Sequence, residues 1–194
     1  MRDSHYQIEL TDRRTVNHLI EAHYLRRWPG VVVAILSLLD DDVPIGCVVF
    51  ALPPRETNKR YGVNCAWELA RLFIADGTPK NTETWFVARA LRWVRKNRPD
   101  VNLIVSYADP AAGHDGTIYR AGNWIADGMT DQERRTPRFD YADENTGKLY
   151  SRRSHVPDET SIVRVPRVSK FRFIYWMNRS HEKLRQKSID EKSQ

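Results

Sequence analysis

Two apolar rhythms alternate along the chain. Val16, Leu19, Ile20, His23 and Tyr24 recur at the spacing of one helix face, behind a cap at Thr11 or Asp12. That pattern predicts a helix to about Arg26, ended by Trp28-Pro29-Gly30. Strand patterns flank it: Tyr6–Leu10 before, and Val31–Leu38 after, turning through Asp40–Asp42 into a hairpin partner, Pro44–Leu52. Arg55 to Gly62 reads as a polar loop. In the next strand, Trp67–Ile74, strict alternation puts Glu68, Ala70 and Leu72 on one face and Leu69, Arg71 and Phe73 on the other. The loop Asp76–Asn81 precedes a helix from about Thr82 to Asn97, which Pro99 stops. Phe86, Ala90, Trp93 and Val94 form its buried stripe, and Arg89, Arg92 and Lys96 a basic ridge.

Val101–Val105 reads as a strand and Thr117–Asn123 as a short helix. Trp124 to Asp158 reads as charged loop. Ser161–Val168 and Lys170–Trp176 restore strand patterns before a polar tail. The expected architecture is α/β, with a mixed, largely antiparallel central sheet flanked by helices. One domain is expected over residues 1–177, followed by a basic polar tail at 178–194.

Composition narrows this picture. The chain of 194 residues is 41% hydrophobic, enough for one core, and carries a net charge of +6. From Arg164 to Lys187 the cations Arg164, Arg167, Lys170, Arg172, Arg179, Lys183, Arg185 and Lys187 face one acid, Glu182. Such a concentration points to an anionic partner, nucleic acid first. Cys47 and Cys65 have no metal-ligand spacing and are expected to be reduced. The N-terminus is too polar for a signal peptide. The longest apolar run, Val31–Leu39, falls short of the about 20 residues that span a bilayer. A cytoplasmic protein without a membrane partner is expected.

Ser106 to Trp124 holds the densest chemistry. After the strand from Val101 come Ser106, Tyr107, Asp109, His114, Asp115, Thr117, Tyr119 and Asn123, with Gly113 and Gly116 allowing close backbone approach. Asp109, at a strand end before Pro110, belongs at the sheet's carboxyl edge, where ligands collect in α/β folds. Its structural role would be to cap the following turn. Ser106 and Tyr107 point to opposite faces, so only one of them lines a given cleft. Ser106 lacks an evident adjacent base and suits hydrogen bonding better than nucleophilic attack. His114 is a candidate base or substrate ligand. Trp28, Trp85 and Trp124 are candidate stacking surfaces for an extruded base, or core residues.

The order of elements resembles the acetyltransferase-like (GNAT) fold. That resemblance implies a donor pyrophosphate at the N-terminus of the helix after Lys80-Asn81, where free backbone N–H groups gather. The usual glycine-rich loop is replaced by Asp76-Gly-Thr-Pro-Lys-Asn81. At the motif level, Leu69-Ala-Arg-Leu-Phe-Ile74, Pro79-Lys-Asn-Thr-Glu-Thr-Trp-Phe86, Ser106-Tyr-Ala-Asp-Pro110, Gly113-His-Asp-Gly-Thr-Ile-Tyr119 and Asn123-Trp124 together resemble the phage Mom family. The resemblance covers roughly Ala22 to Met129.

It implies a transferase that hypermodifies the exocyclic N6 amine of adenine in double-stranded phage DNA with a methylcarbamoyl group, shielding the DNA from host restriction. Asp109, His114, Tyr119 and Ser106 are the implied catalytic set, with Tyr119 as a general acid. Tyr107, Asn123, Arg71, Lys80 and Arg120 are the implied substrate or DNA contacts. His23 and Tyr24 match a His-Tyr pair of the family and are the implied iron ligands. The transferred group has the heavy atoms of a glycyl unit, so the acyl donor is either acetyl-CoA or an aminoacyl-tRNA such as glycyl-tRNA. Two other readings are an acetyltransferase acting on a protein or small amine, and a non-catalytic DNA-binding protein.

Overall fold

The computed structural model describes residues 5–132, 134–150, 157 and 161–178. Its elements are β1 (Tyr6–Leu10), α1 (Arg13–Ala22), β2 (Val32–Asp40), β3 (Val43–Ala51), α2 (Glu56–Tyr61), β4 (Ala66–Ile74), α3 (Thr82–Asn97), β5 (Leu103–Ala108), α4 (Thr117–Ala121), β6 (Ile125–Met129), β7 (Phe139–Asp143), β8 (Leu149–Tyr150), β9 (Ile162–Pro166) and β10 (Phe171–Trp176). A seven-stranded sheet has the order β1-β2-β3-β4-β5-β10-β6, and a separate sheet the order β8-β7-β9. In the large sheet every neighbouring pair is antiparallel except β4 and β5. The expected mixed, largely antiparallel sheet is what forms.

Each face is sealed by helices whose apolar stripes match it. Phe86, Ala90 and Val94 of α3 pack with Leu36, Leu38, Val48, Phe50, Trp67 and Leu69. On the opposite face Val16, Leu19 and Ile20 of α1 pack with Ile35, Cys47 and Val49. Tyr61 of α2 joins Leu103, Val105, Ile174 and Trp176 there. Asp12 caps α1 by accepting the Thr15 N–H at 3.0 Å. That helix ends at Ala22, short of the predicted Arg26, because His23 is already extended and Arg26 adopts a left-handed φ of 46°.

Two irregularities open the sheet. Val49 pairs with Arg71 but Phe50 pairs with Leu69, so Ala70 is an extra residue, a β-bulge in β4. Glu68 pairs with Ala51 and Arg71 with Val49, and these partners lie on one face. Glu68 and Arg71 therefore share the α1 face, which corrects the opposite faces expected from strict alternation. Beyond the bulge, β4 and β5 part. Their register runs from Ala66↔Leu103 to Leu69↔Ser106 and stops, although β4 continues to Ile74.

The segment after Trp124 forms β6, β7 and β8, where a charged loop was expected. These strands are mostly half-buried or exposed and so carry little apolar alternation. The tail from residue 179 onward lies outside the described residues. Among the described residues no helix is long and apolar enough to cross a membrane.

Candidate active site

The parting of β4 and β5 leaves a cleft of about 440 Å³, within the usual range for small-molecule sites of about 300–1,000 Å³. Its walls are β4 from Leu69 to Ile74, the end of β5 at Tyr107 and Ala108, the loop Ala22-His23-Tyr24 and the segment Gly113–Tyr119. Residues from both sheet faces contribute, so the cleft passes through the sheet. Of the site residues expected from sequence, it brings together His23, Tyr24, Arg71, Tyr107, His114 and Tyr119.

Ser106 and Tyr119 sit on the α3 face, both buried. Ser106 Oγ lies 2.8 Å from the Leu69 carbonyl and 2.7 Å from the Tyr119 hydroxyl. A carbonyl only accepts, so the Ser106 hydrogen goes to Leu69 O and the Tyr119 hydroxyl donates to Ser106 Oγ. Burial pushes the Tyr119 hydroxyl up to about 12, so it keeps its proton at neutral pH. Ser106 is thus a hydrogen-bonding residue beneath the cleft rather than part of its wall.

On the opposite face Glu68 is half-buried, and among the described residues no hydrogen bond or ion pair reaches its carboxylate. Burial raises its pKa to about 7, against the lowering influence of Arg71 and Lys170. Burial likewise raises Tyr107, to about 12. The sequence signal for Glu68, a lone acid in an apolar strand, was present. Only the bulge reveals that it shares a face with Arg71.

Arg71 Nε donates to Arg27 O at 3.0 Å and Nη1 to Ala70 O at 2.6 Å. The guanidinium thereby fastens the loop bearing His23 and Tyr24 to the bulge. His23 is buried, and its Nδ1 accepts the Leu25 N–H at 3.1 Å. Burial, then Arg71 and His114, lowers its pKa to about 4, so it is neutral at pH 7. Tyr24 is 44% exposed at the mouth of the cleft. Its ring centroid lies 4.5 Å from that of His23 and 4.8 Å from that of His114.

The expected iron pair does not fit a metal site. One His23 nitrogen is already committed to the backbone, and burial, with Asp109 nearby, raises the Tyr24 pKa and disfavours a phenolate ligand. Among the described residues no group of three or more His, Cys, Asp or Glu side chains converges.

Other expected residues lie around the cleft and not in its wall. Asp109 accepts the Ala111 N–H at 3.1 Å and pairs with Lys170 Nζ at 2.7 Å, and its carbonyl accepts the His114 N–H. It caps the turn that carries His114. Arg120 is exposed, reaches the Asp115 carbonyl and sits over the Phe173 ring. Asn123 is an exposed turn residue with φ of 60°. Lys80 is exposed just before α3. The tryptophans do not converge either. Trp124 is buried against Tyr119, Trp28 donates to Asn17, and Trp85 lies near Tyr6 under Arg89.

At the N-terminus of α3, where the resemblance implies a donor pyrophosphate, the exposed acid Glu83 stands in the first turn among the cleft-lining residues, and both the N–H and hydroxyl of Thr82 are taken by the Pro79 carbonyl. An acid beside the first-turn amides opposes an anion.

A family model described as the Mom protein family matches residues 5–193. The chain belongs to that family. It is 35% identical over 57 residues to the methylcarbamoylase mom of Escherichia phage Mu, a match covering 29% of this chain and 24% of that protein. The chain thus matches about a quarter of the length of this curated relative. Solved structures with the same fold include a ribosomal-protein-S5-alanine acetyltransferase from Vibrio fischeri, with TM-score 0.56, 10% identity and coverage of 92% of this chain and 96% of that one. Another is a GNAT family acetyltransferase from Elizabethkingia anophelis with acetyl-CoA bound, with TM-score 0.54, 8% identity and coverage of 90% and 99%. The fold is therefore GNAT-like.

Proposed function

We propose that this chain is a transferase that acylates the exocyclic N6 amine of adenine in double-stranded DNA, leading to a methylcarbamoyl-type modification that protects phage DNA from restriction. The observation that carries this reading is membership of the Mom family over residues 5–193. The through-sheet cleft supports it, because acceptor and donor enter from opposite faces of such an opening.

The lone pair of the N6 amine is delocalised into the purine ring, and the amine lies inside the duplex. The base is therefore extruded into the cleft while Arg and Lys side chains hold the phosphates. Glu68, on the acceptor side, takes the amine proton. The nitrogen attacks the acyl carbonyl carbon, the N–C bond forms and the C–O bond to the donor breaks. Tyr119 gives its proton to the leaving oxygen, and Ser106 holds that hydroxyl in place until then. Asp109, paired with Lys170, sets the turn that presents His114. An aminoacyl ester such as glycyl-tRNA is the proposed donor, a choice supported by the acid Glu83 in the first turn of α3, which opposes the pyrophosphate of a CoA. A glycyl group on N6 has the same heavy atoms as a methylcarbamoyl group, and acyl transfer is the step assigned to this cleft.

Mass spectrometry of nucleosides from DNA of cells expressing the chain tests this. Modified adenine is expected with wild type and is expected to be lost in Tyr119→Phe and Asp109→Ala. Labelled glycine should enter the modified base and labelled acetate should not. Soluble protein with unmodified adenine overturns the reading. Tight acetyl-CoA binding would then favour an acetyltransferase acting on another amine, and salt-sensitive DNA binding alone a non-catalytic role.

A further inference from the structure

The Tyr24 ring has no part in the chemistry so far. It is 44% exposed, although it lies in the cleft wall beside the buried His23. One side of the ring is backed by His23 at 4.5 Å between centroids, and His114 stands 4.8 Å away at 58°. The backing is tied in place: His23 Nδ1 accepts the Leu25 N–H, and Arg71 donates to Arg27 O in the following loop. An aromatic ring backed by a buried neighbour and partly exposed among cleft-lining residues is a stacking platform for a planar heterocycle. Tyr24 keeps a neutral phenol at physiological pH, since burial raises its pKa, so no charge opposes stacking. None of the three candidate tryptophans lines the cleft; of the aromatic residues that do, His23 and Tyr119 are buried, Phe73 and Tyr107 are half-buried, and Tyr24 and His114 are exposed.

We infer that Tyr24, buttressed by His23 and flanked by His114, is the subsite that receives the extruded purine of the acceptor DNA. This inference rests on the proposed DNA reading and assigns that reading's base-binding surface. Stacking on the ring positions the N6 amine toward the gap between β4 and β5. The ring matters and the hydroxyl does not, which separates this role from metal ligation or proton transfer.

The test uses the full chain and a duplex carrying one 2-aminopurine opposite an abasic site, so that the probe leaves the stack readily. Wild type is expected to bind in a salt-dependent manner and to change the 2-aminopurine fluorescence. Tyr24→Leu should bind the duplex with affinity within a few-fold of wild type, because phosphate contacts dominate, but lose the fluorescence change. Tyr24→Phe should retain it. For cells expressing the variants, Tyr24→Leu should reduce modified adenine about tenfold, as expected for the loss of one stacked base, and Tyr24→Phe should restore most of it. Thermal melts of both variants check folding. A fluorescence change that survives Tyr24→Leu, or equal loss in Tyr24→Phe, overturns the subsite alone. Failure of wild type to bind DNA overturns the DNA reading beneath it.

Discussion

The Tyr119 hydroxyl donates to Ser106 Oγ at 2.7 Å while Ser106 donates to the Leu69 carbonyl at 2.8 Å. The chain of bonds has a direction, and the two hydroxyls are not equivalent. Ser106→Ala removes the acceptor of a buried phenol and the donor to a buried carbonyl together. It is expected to destabilise the fold by about 1–3 kcal/mol. Tyr119→Phe leaves the Ser106–Leu69 bond intact and should cost about 0.5–1.5 kcal/mol, yet lower turnover about 10²–10⁴-fold. Urea titration and single-turnover kinetics of the two variants check the reversed order of the two effects.

Burial raises the Glu68 pKa to about 7 from the ordinary carboxylate value of 4.5. The folded state binds the extra proton between those limits. Its contribution is therefore fully present below pH 4.5 and is lost as pH rises through 7. Glu68→Gln should flatten the stability profile over this window and gain on the order of 1–3 kcal/mol relative to wild type above it. If the pH profiles of wild type and variant are parallel, the carboxylate is not the group that titrates. The same variant should abolish adenine modification.

His23 titrates in the opposite sense. Burial lowers its pKa to about 4 from the ordinary imidazole value of 6.5. Stability from the buried neutral ring is complete above pH 6.5 and lost as pH falls toward 4. NMR of the His23 ring should show no protonation between pH 7 and 5, and ring protonation in that interval would refute the assignment.

Gly116 adopts φ of +86°, and a Cβ there would overlap the Phe173 ring. Gly113 has φ of +75° but open space around it. Gly113→Ala is expected to cost about 1–2 kcal/mol, the left-handed strain of an L-residue. Gly116→Ala should cost more, because the buried Phe173 must also move. Thermal melts of the two variants measure the difference.

Much of this arrangement was legible in the sequence because it rests on strong periodicity. Helix α3 spans Thr82–Asn97 as expected, since its stripe and Pro99 bracket it unambiguously. Ser106 and Tyr107 do part to opposite faces, and Tyr107 is the one that lines the cleft. The bulge at Ala70 left no trace, because a single extra residue changes register without changing composition. For the same reason Glu68 and Arg71 were assigned to different faces. Asp109, Asn123, Lys80 and Arg120 share the polar character of the cleft residues, and sequence alone does not separate a wall from the turns that support it. Strands β6 to β8 escaped notice because half-exposed strands do not need apolar alternation.

The parting of β4 and β5 has a mechanical consequence. In the large sheet, the rungs from Ala66↔Leu103 to Leu69↔Ser106 join the block β1–β4 to the block β5, β10 and β6. Beyond this short seam the two blocks hold no rungs in common among the described residues, and the core under α3 spans them. Ligand-dependent deuterium protection should therefore concentrate at Leu69–Leu72 and Val105–Ala108, while the outer rungs of each block exchange at unchanged rates.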